Sequence, residues 1–206
     1  MKLEVTGLSE EKMLLQGINK QAGVAAALTA AKHIRSGLLD YQKAWLYVVT
    51  SWYNLPDANI LEIGTLVGHS AAMIAQAAPK ARILTLNPVI DEARIARRNL
   101  ARYNNVRVLD VRSWDYHKTI TDPYDLIFVD GDHRHIERDL PWFNRLKVGG
   151  LMLFHDYSPA DASHACPPVY EALNRMAEKL HGFDVLIIDD GKTGMAGICR
   201  KEGESW

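Results

Sequence analysis

From Asn59 to Phe154 the sequence alternates short apolar runs with longer helical patterns, and this alternation constrains the fold more than any other feature. Ile60-Leu61-Glu62-Ile63, Arg82 to Leu86, Val106 to Leu109, Leu126 to Val129 and Leu151 to Phe154 read as strands. Ser70 to Ala78, Glu92 to Tyr103 with Asp91 as its cap, and Ile136 to Leu146 read as helices between them. Nearly continuous apolar strands separated by helices imply a parallel sheet covered on both faces, since a half-solvated strand would alternate apolar with polar residues. The class is α/β. Ahead of Asn59 the chain reads as helical: a start at Ser9-Glu10-Glu11, an Ala-rich segment from Ala22 to Ile34 stopped by Gly37, and a helix from Asp40 to near Pro56. Trp45, Trp52 and Tyr53 on that last segment read as core residues at helical spacing. Beyond Phe154 the spacing predicts a helix from Val169 to Leu180 with Gly182 as C-cap. A hairpin of Phe183 to Ile188 and Met195 to Cys199 follows, turning at Asp190-Gly191-Lys192. The organisation is one compact unit, a helical extension over 1–56 leading into an α/β domain over 57–206.

Charge and composition then exclude several functions. The 206 residues carry 24 Lys+Arg against 25 Asp+Glu, a net charge of −1, so the broadly basic surface that grips nucleic acid is missing and nucleic acid is not an expected partner. The apolar stretch from Ala44 to Pro56 is too short to cross a bilayer, so no membrane partner is expected. The N-terminus lacks a signal core and points to the cytoplasm. Cys166 and Cys199 form neither a disulfide framework nor a zinc spacing and read as ordinary thiols.

In open parallel sheets, ligands bind beyond the carboxyl ends of the strands, where strand order reverses. The first strand here runs into Glu62-Ile63-Gly64-Thr65-Leu66-Val67-Gly68-His69-Ser70. Gly64 permits a sharp turn, and Gly68 lets backbone approach a ligand as the next helix begins. The spacing is G-x-x-x-G, neither the dinucleotide fingerprint nor a Walker loop, so pyrophosphate is not the favoured ligand. An isolated pair of this kind is more often a packing turn; its place after the first parallel strand favours a ligand.

Two further segments gather chemistry. Tyr124-Asp125-Leu126-Ile127-Phe128-Val129-Asp130-Gly131-Asp132-His133 and Gly149-Gly150-Leu151-Met152-Leu153-Phe154-His155-Asp156-Tyr157 each deliver carboxylate and imidazole at the end of an apolar strand. Carboxylates collected at one mouth disfavour one another's ionisation unless a cation or a proton offsets the repulsion.

Glu62-x-Gly64-x-x-x-Gly68 resembles the first motif of class I S-adenosylmethionine-dependent methyltransferases. The V-D-G-D-H and G-G-x-x-x-x-H-D segments resemble a small-molecule O-methyltransferase subgroup (methyltransferase type 24-like) related to the magnesium-dependent catechol-type enzymes. The resemblance covers about Asn59 to Cys199. It implies a Rossmann-like, mostly parallel seven-stranded sheet with an antiparallel C-terminal strand and helices on both faces. It also implies that Gly64 and Gly68 admit the cofactor, that Glu62 faces its amino group, that Ser70 lies near its carboxylate, and that Ser113-Trp114 and Asp130 border it. Asn87 stands where the family commonly has a ribose-binding acid; a ribose contact and an Asn-Pro turn are equally open. Trp114 reads as a purine platform or as core. Asp130 and Asp156 are the first metal candidates, Asp132 the third, for Mg²⁺; Tyr157 replaces the Asn usual after the second aspartate. His133 or His155 would take the proton of a substrate hydroxyl, with Asp130 beside them, while His135 and His164 have weaker cases.

The function implied is methyl transfer from S-adenosylmethionine to a hydroxyl of a small molecule. Two rivals stay open: a cofactor-binding module without catalysis, to which Asn87 points, and a metal-dependent hydrolase or hydroxylase-like enzyme using the carboxylate and histidine mouth. A homodimer is also left open.

Overall fold

The structure, a computed structural model, describes residues 22–158, 166–180, 185–188 and 194–206. The helix start at Ser9, His164, the Gly182 cap and the Asp190-Gly191-Lys192 turn lie outside the described residues. The strands are β1 (Asn59–Ile63), β2 (Arg82–Leu86), β3 (Val106–Leu109), β4 (Tyr124–Val129), β5 (Leu146–Tyr157), β6 (Val185–Ile188) and β7 (Gly194–Cys199). They form one sheet in the order β3-β2-β1-β4-β5-β7-β6. Pairing is parallel from β3 through β5, and β7 runs antiparallel to both β5 and β6. The mostly parallel sheet with a reversed C-terminal strand is as the sequence implied. The described helices are α1 (Ala22–Ala31), α2 (Asp40–Ser51), α3 (His69–Ala77), α4 (Ile90–Asn99), the short α5 (Ser113–Tyr116) and α6 (Pro167–Lys179).

Both faces of the sheet are dry, which explains the unbroken apolar runs. Ile60, Ile83, Leu126, Phe128, Leu151 and Leu153 pack with Leu46 and Val49 of α2 and Ile74 of α3. The alternate residues Leu61, Ile63, Ile127, Val129, Met152 and Phe154 pack with Trp142, Phe143 and Val169, Leu173 and Met176 of α6. A period of two on a two-sided sheet leaves no solvent face on which charge could sit. Charges such as Arg82, Arg107 and Lys147 sit at strand ends or on the edge strand, whereas Glu62, in the central strand, is wholly buried.

Two expectations fail locally. The segment expected as a helix from Ile136 to Leu146 forms two 3-10 turns, His133–Arg138 and Leu140–Arg145. Pro141 has no N–H to donate and disfavours helical backbone at Leu140, so a continuous α-helix cannot pass through it. Trp52, expected in the core, is 57% exposed, because α2 ends at Ser51 and the chain turns toward Pro56. Among the described residues no helix is long and apolar enough to cross a membrane.

β1 lies between β2 and β4, so the crossovers leave it in opposite directions and open a crevice at its carboxyl end. Gly64 sits there with φ +103°, and a Cβ on it would lie 2.1 Å from the Asp130 carbonyl oxygen and 2.8 Å from the Gly131 nitrogen. Gly149 also has positive φ but open space around it. Gly149→Ala should therefore cost only backbone strain, about 1–2 kcal/mol, whereas Gly64→Ala should cost at least about 4 kcal/mol because main chain must move as well. Urea unfolding of both variants measures the difference; equal losses would mean that the contact at Asp130 is not tight.

Candidate functional site

The crevice is built by main chain before any side chain enters it. Gly64 and Thr65 both donate their N–H to the Leu86 carbonyl, at 3.0 and 3.2 Å, so the loop starts pinned to β2. Gly68, at φ +96°, is the N-cap of α3. Between them opens a cavity of about 170 Å³ lined by Gly64, Thr65, Leu66, His69, Ser70 and Asp130, with Arg35 to Leu38 on its other wall. A larger cavity of about 450 Å³ lies at the amino ends of the strands, lined by Asn59, Arg82 and Asn105, far from the residues singled out in the sequence.

Glu62 is positioned beneath this loop. The Thr85 hydroxyl donates to Glu62 Oε2, Thr65 and Thr85 hydroxyls touch, and Glu62 Oε1 is buried without a hydrogen-bond partner. Burial pushes its pKa up to about 7 against the opposing pull of the Ser70 and Thr85 hydroxyls, and the charge of Asp130 adds to the rise. An orphaned buried carboxylate oxygen beside a glycine-lined cavity suits the ammonium group of an amino-acid cofactor such as S-adenosylmethionine. Ser70 is buried at the start of α3 on the same wall.

Asn87, for which a ribose contact and a turn were equally open, is held by its own neighbours. Asn87 stands at the end of β2, but its amide nitrogen donates to the Leu66 carbonyl and to Glu92 Oε2, both at 3.0 Å, and its oxygen accepts from the Val89 N–H. Its donors are thus spent on the loop, and the carboxylate presented there is that of Glu92, in the first turn of α4. Glu92 had been read only as the opening of a helix; five residues of separation hid its return to the strand end. Ser113 and Trp114 do not line the cavity over the glycine loop. The Ser113 hydroxyl donates to Asp139, which burial raises to a pKa of about 6 despite that bond. Trp114 lies half-buried, with the Arg138 and Arg112 guanidinium groups 5.0 and 5.8 Å from its ring centre.

Asp130, His133, His155 and Asp156 do come together. His155 Nδ1 lies 2.9 Å from Asp130 Oδ1 and 3.3 Å from Asp156 Oδ1. His133 Nε2 lies 3.5 Å from Asp130 Oδ1, and its Nδ1 lies 3.1 Å from Asp156 Oδ2. Successive strand residues would point to opposite faces, yet His155 and Asp156 share the mouth. A register shift between His155 and Tyr157 against β7, with Asp156 in left-handed backbone at φ +58°, re-aims the carboxylate. Burial alone would lower the His133 pKa, but Asp130 and Asp156 outweigh it and raise the value to about 10. Burial works to raise the Asp130 carboxyl, and the two imidazoles override it and hold it below the usual range.

Asp132 is a correction. Half exposed, it caps the following 3-10 turn by accepting from the Arg134 N–H and faces His135 Nδ1 at 2.8 Å, outside the cluster. Tyr157 is likewise absent from the mouth, buried with its ring 5.0 Å from that of Tyr170. Two residues with no motif join instead. Gln42 of α2 accepts from His155 Nε2 at 3.0 Å across 113 positions, and Cys166, read as an ordinary thiol, offers a ligand atom within 4.8 Å of atoms of His133 and Asp156.

This donor set fits magnesium poorly. Mg²⁺ takes an octahedron of oxygens, whereas imidazole nitrogens face Asp130 from two sides and position 157 adds no oxygen. No chemical step is assigned to magnesium here.

The Methyltransferase domain family matches residues 61–157. A catechol O-methyltransferase of Mycobacterium tuberculosis (strain ATCC 25618 / H37Rv) is 34% identical over 140 residues, 66% of this chain and 63% of that protein. A catechol O-methyltransferase of Niastella koreensis is 31% identical over 106 residues, 48% of each chain. The chain therefore spans between about half and just under two thirds of the length of these curated relatives. The SAH-bound methyltransferase of Podospora anserina superposes with a TM-score of 0.71 at 18% identity, covering 97% of this chain and 99% of that one; this last likeness is one of fold.

Because the folded-state pKa of Glu62 lies above its unfolded value, its contribution to stability is fully present below the ordinary glutamate range. That contribution is lost as pH rises through about 7. Glu62→Gln should gain stability relative to the parent on going from about pH 5 to pH 8, by at most about 3 kcal/mol. Denaturant midpoints across that range test it; a difference independent of pH would show that Glu62 does not titrate there.

Proposed function

With residues 61–157 matching the methyltransferase-domain family as the premise, we propose that the chain is an S-adenosylmethionine-dependent O-methyltransferase acting on a hydroxyl of a small molecule. The observation that carries this reading is the double position of Asp130. It lines the cavity over the glycine loop together with Gly64 and Ser70, and its Oδ1 faces the imidazoles of His133 and His155. Cofactor wall and acid-base cluster therefore meet at one carboxylate.

When bound, S-adenosylmethionine supplies a methyl group on an already electrophilic sulfonium. What remains for the protein is alignment and proton removal. Gly64 and Gly68 keep the loop free of side chains where the cofactor lies against it. Glu62 Oε1 would accept from the amino group, and Ser70, at the start of α3, would donate toward the carboxylate. Glu92, braced by Asn87, would offer the charged acceptor for the ribose hydroxyls, and Trp114 a face for the adenine, while the Ser113 hydroxyl stays committed to Asp139. The acceptor hydroxyl enters between His133, His155 and Asp156. His155 would take the proton of that hydroxyl, because Asp130 and Asp156 already hold His133 protonated near neutral pH. The near-neutral net charge accords with a small acceptor better than with a polyanion.

Calorimetry with S-adenosylmethionine and methyl transfer to a panel of small hydroxyl compounds, catechols included, test this reading; a chain that binds no cofactor sinks it. Glu92→Gln should weaken cofactor binding about 10-fold, the effect of about 1.4 kcal/mol of lost interaction, with little change in melting temperature. Asp156→Asn should leave cofactor affinity in place and slow methyl transfer by a factor on the order of 10²–10⁴. Full turnover in Asp156→Asn would place the chemistry elsewhere.

A further inference from the structure

We propose that Asp130, His133 and His155 form a two-histidine, one-carboxylate site for a first-row transition-metal ion, of the class of Zn²⁺, Co²⁺ or Fe²⁺, in place of the magnesium typical of catechol-type enzymes. The proposal rests on reading this mouth as the acceptor end of the methyl-transfer site, and it names the ion that end would take.

The spacing is the first argument. One ligand atom from each of the three residues lies within 4.8 Å of the other two. Asp130 Oδ1 is 2.9 Å from His155 Nδ1 and 3.5 Å from His133 Nε2. Donors bonded at about 2.0–2.1 Å to a tetrahedral ion stand about 3.3–3.4 Å apart, so the two separations from Asp130 Oδ1 already lie near the edges of such a polyhedron.

The second argument is which nitrogens lack partners. His133 Nε2 and His155 Nδ1 are buried and make no aligned hydrogen bond, and these are the two that face Asp130. The opposite nitrogen of each ring meets an acceptor: Asp156 Oδ2 at 3.1 Å for His133, Gln42 Oε1 at 3.0 Å for His155. The Gln42 amide is not free to turn, because its oxygen also accepts from the Leu39 N–H at 2.8 Å. His155 Nε2 then carries a hydrogen, and Nδ1 is the nitrogen turned toward Asp130 Oδ1 and Asp156 Oδ1, 2.9 and 3.3 Å away, where an ion would replace its proton. An inner nitrogen turned toward the ion and an outer N–H tied to carboxylate or carbonyl is how metal-binding histidines are oriented. The His155 side chain is only 8% exposed, so solvent does not satisfy the inner nitrogen.

The donor types supply the third argument. Imidazole favours zinc, iron, copper and nickel over the oxygen-seeking magnesium. Cys166 adds a soft sulfur on the same side, near His133 and Asp156.

The full chain, stripped with a chelator, is titrated calorimetrically with Zn²⁺, Co²⁺ and Mg²⁺, and separately with S-adenosylmethionine. One Zn²⁺ or Co²⁺ should bind per chain, on the order of 100-fold more tightly than Mg²⁺, and bound Co²⁺ should show a visible ligand-field spectrum. His155→Asn and His133→Asn should each remove that spectrum, and Gln42→Ala should weaken binding about 10–100-fold by freeing the His155 ring. Melting curves confirm that each variant folds, and should His155→Asn fail to, the more exposed His133→Asn decides the matter. Mg²⁺ binding as tightly as Co²⁺, or Co²⁺ binding indifferent to the histidine substitutions, overturns the proposal. Cofactor binding without a transition-metal preference overturns this proposal alone, while metal binding without cofactor binding overturns the methyltransferase reading instead.

Discussion

The contact of Gly64 with the main chain of Asp130 governs the rest of the structure. β1 and β4 pair in parallel, and immediately past their last paired residues, Ile63 and Val129, the Asp130 N–H donates to the Ile63 carbonyl at 2.8 Å. Any side chain at position 64 would separate the two strand ends. The glycine loop leaves on one side of this contact, and the Asp130-Gly131-Asp132 turn leaves on the other. The glycine loop and the histidine and carboxylate cluster are adjacent because these two strand ends touch.

That closeness also sets the electrostatics. Glu62 and Asp130 follow adjoining strands into a region with little water, where ionised carboxylates are costly unless something offsets their charge. The two respond in opposite directions. Glu62 has hydroxyl neighbours only, and its pKa rises. Asp130 has two imidazoles, and its pKa falls. Two acids side by side are thereby separated into one that holds its proton readily near neutral pH and one that stays ionised, without a change of residue type.

The parallel strands and the strand-end carboxylates were legible in the sequence for a plain reason. A strand dry on both faces must be written as a continuous apolar run, and any polar residue that follows it marks a carboxyl end. Legibility failed wherever a side chain's direction depends on backbone irregularity or a distant partner. Asp130 and Asp132 look alike in D-G-D, yet only the first stays with the sheet. Asp156 shares the mouth with His155 because of a left-handed residue that no pattern announces. Glu92 was hidden by an ordinary helix start, and Pro141 was underweighted in a stretch whose apolar spacing looked helical.

Gln42 shows what it means to complete a site from the far end of the chain. Its oxygen reaches His155 across 113 positions, and closing a loop of that length is entropically slow, so such contacts tend to form after the local ones. During synthesis α2 emerges long before β5, and it can dock on Ile60 and Ile74 well ahead of the imidazole it will orient. The glycine loop waits less, since Leu86 follows Gly64 by 22 positions and Asp130 by 66. The two halves of the mouth therefore close over different lengths of chain, and the glycine loop can be shaped before His155 is held in place.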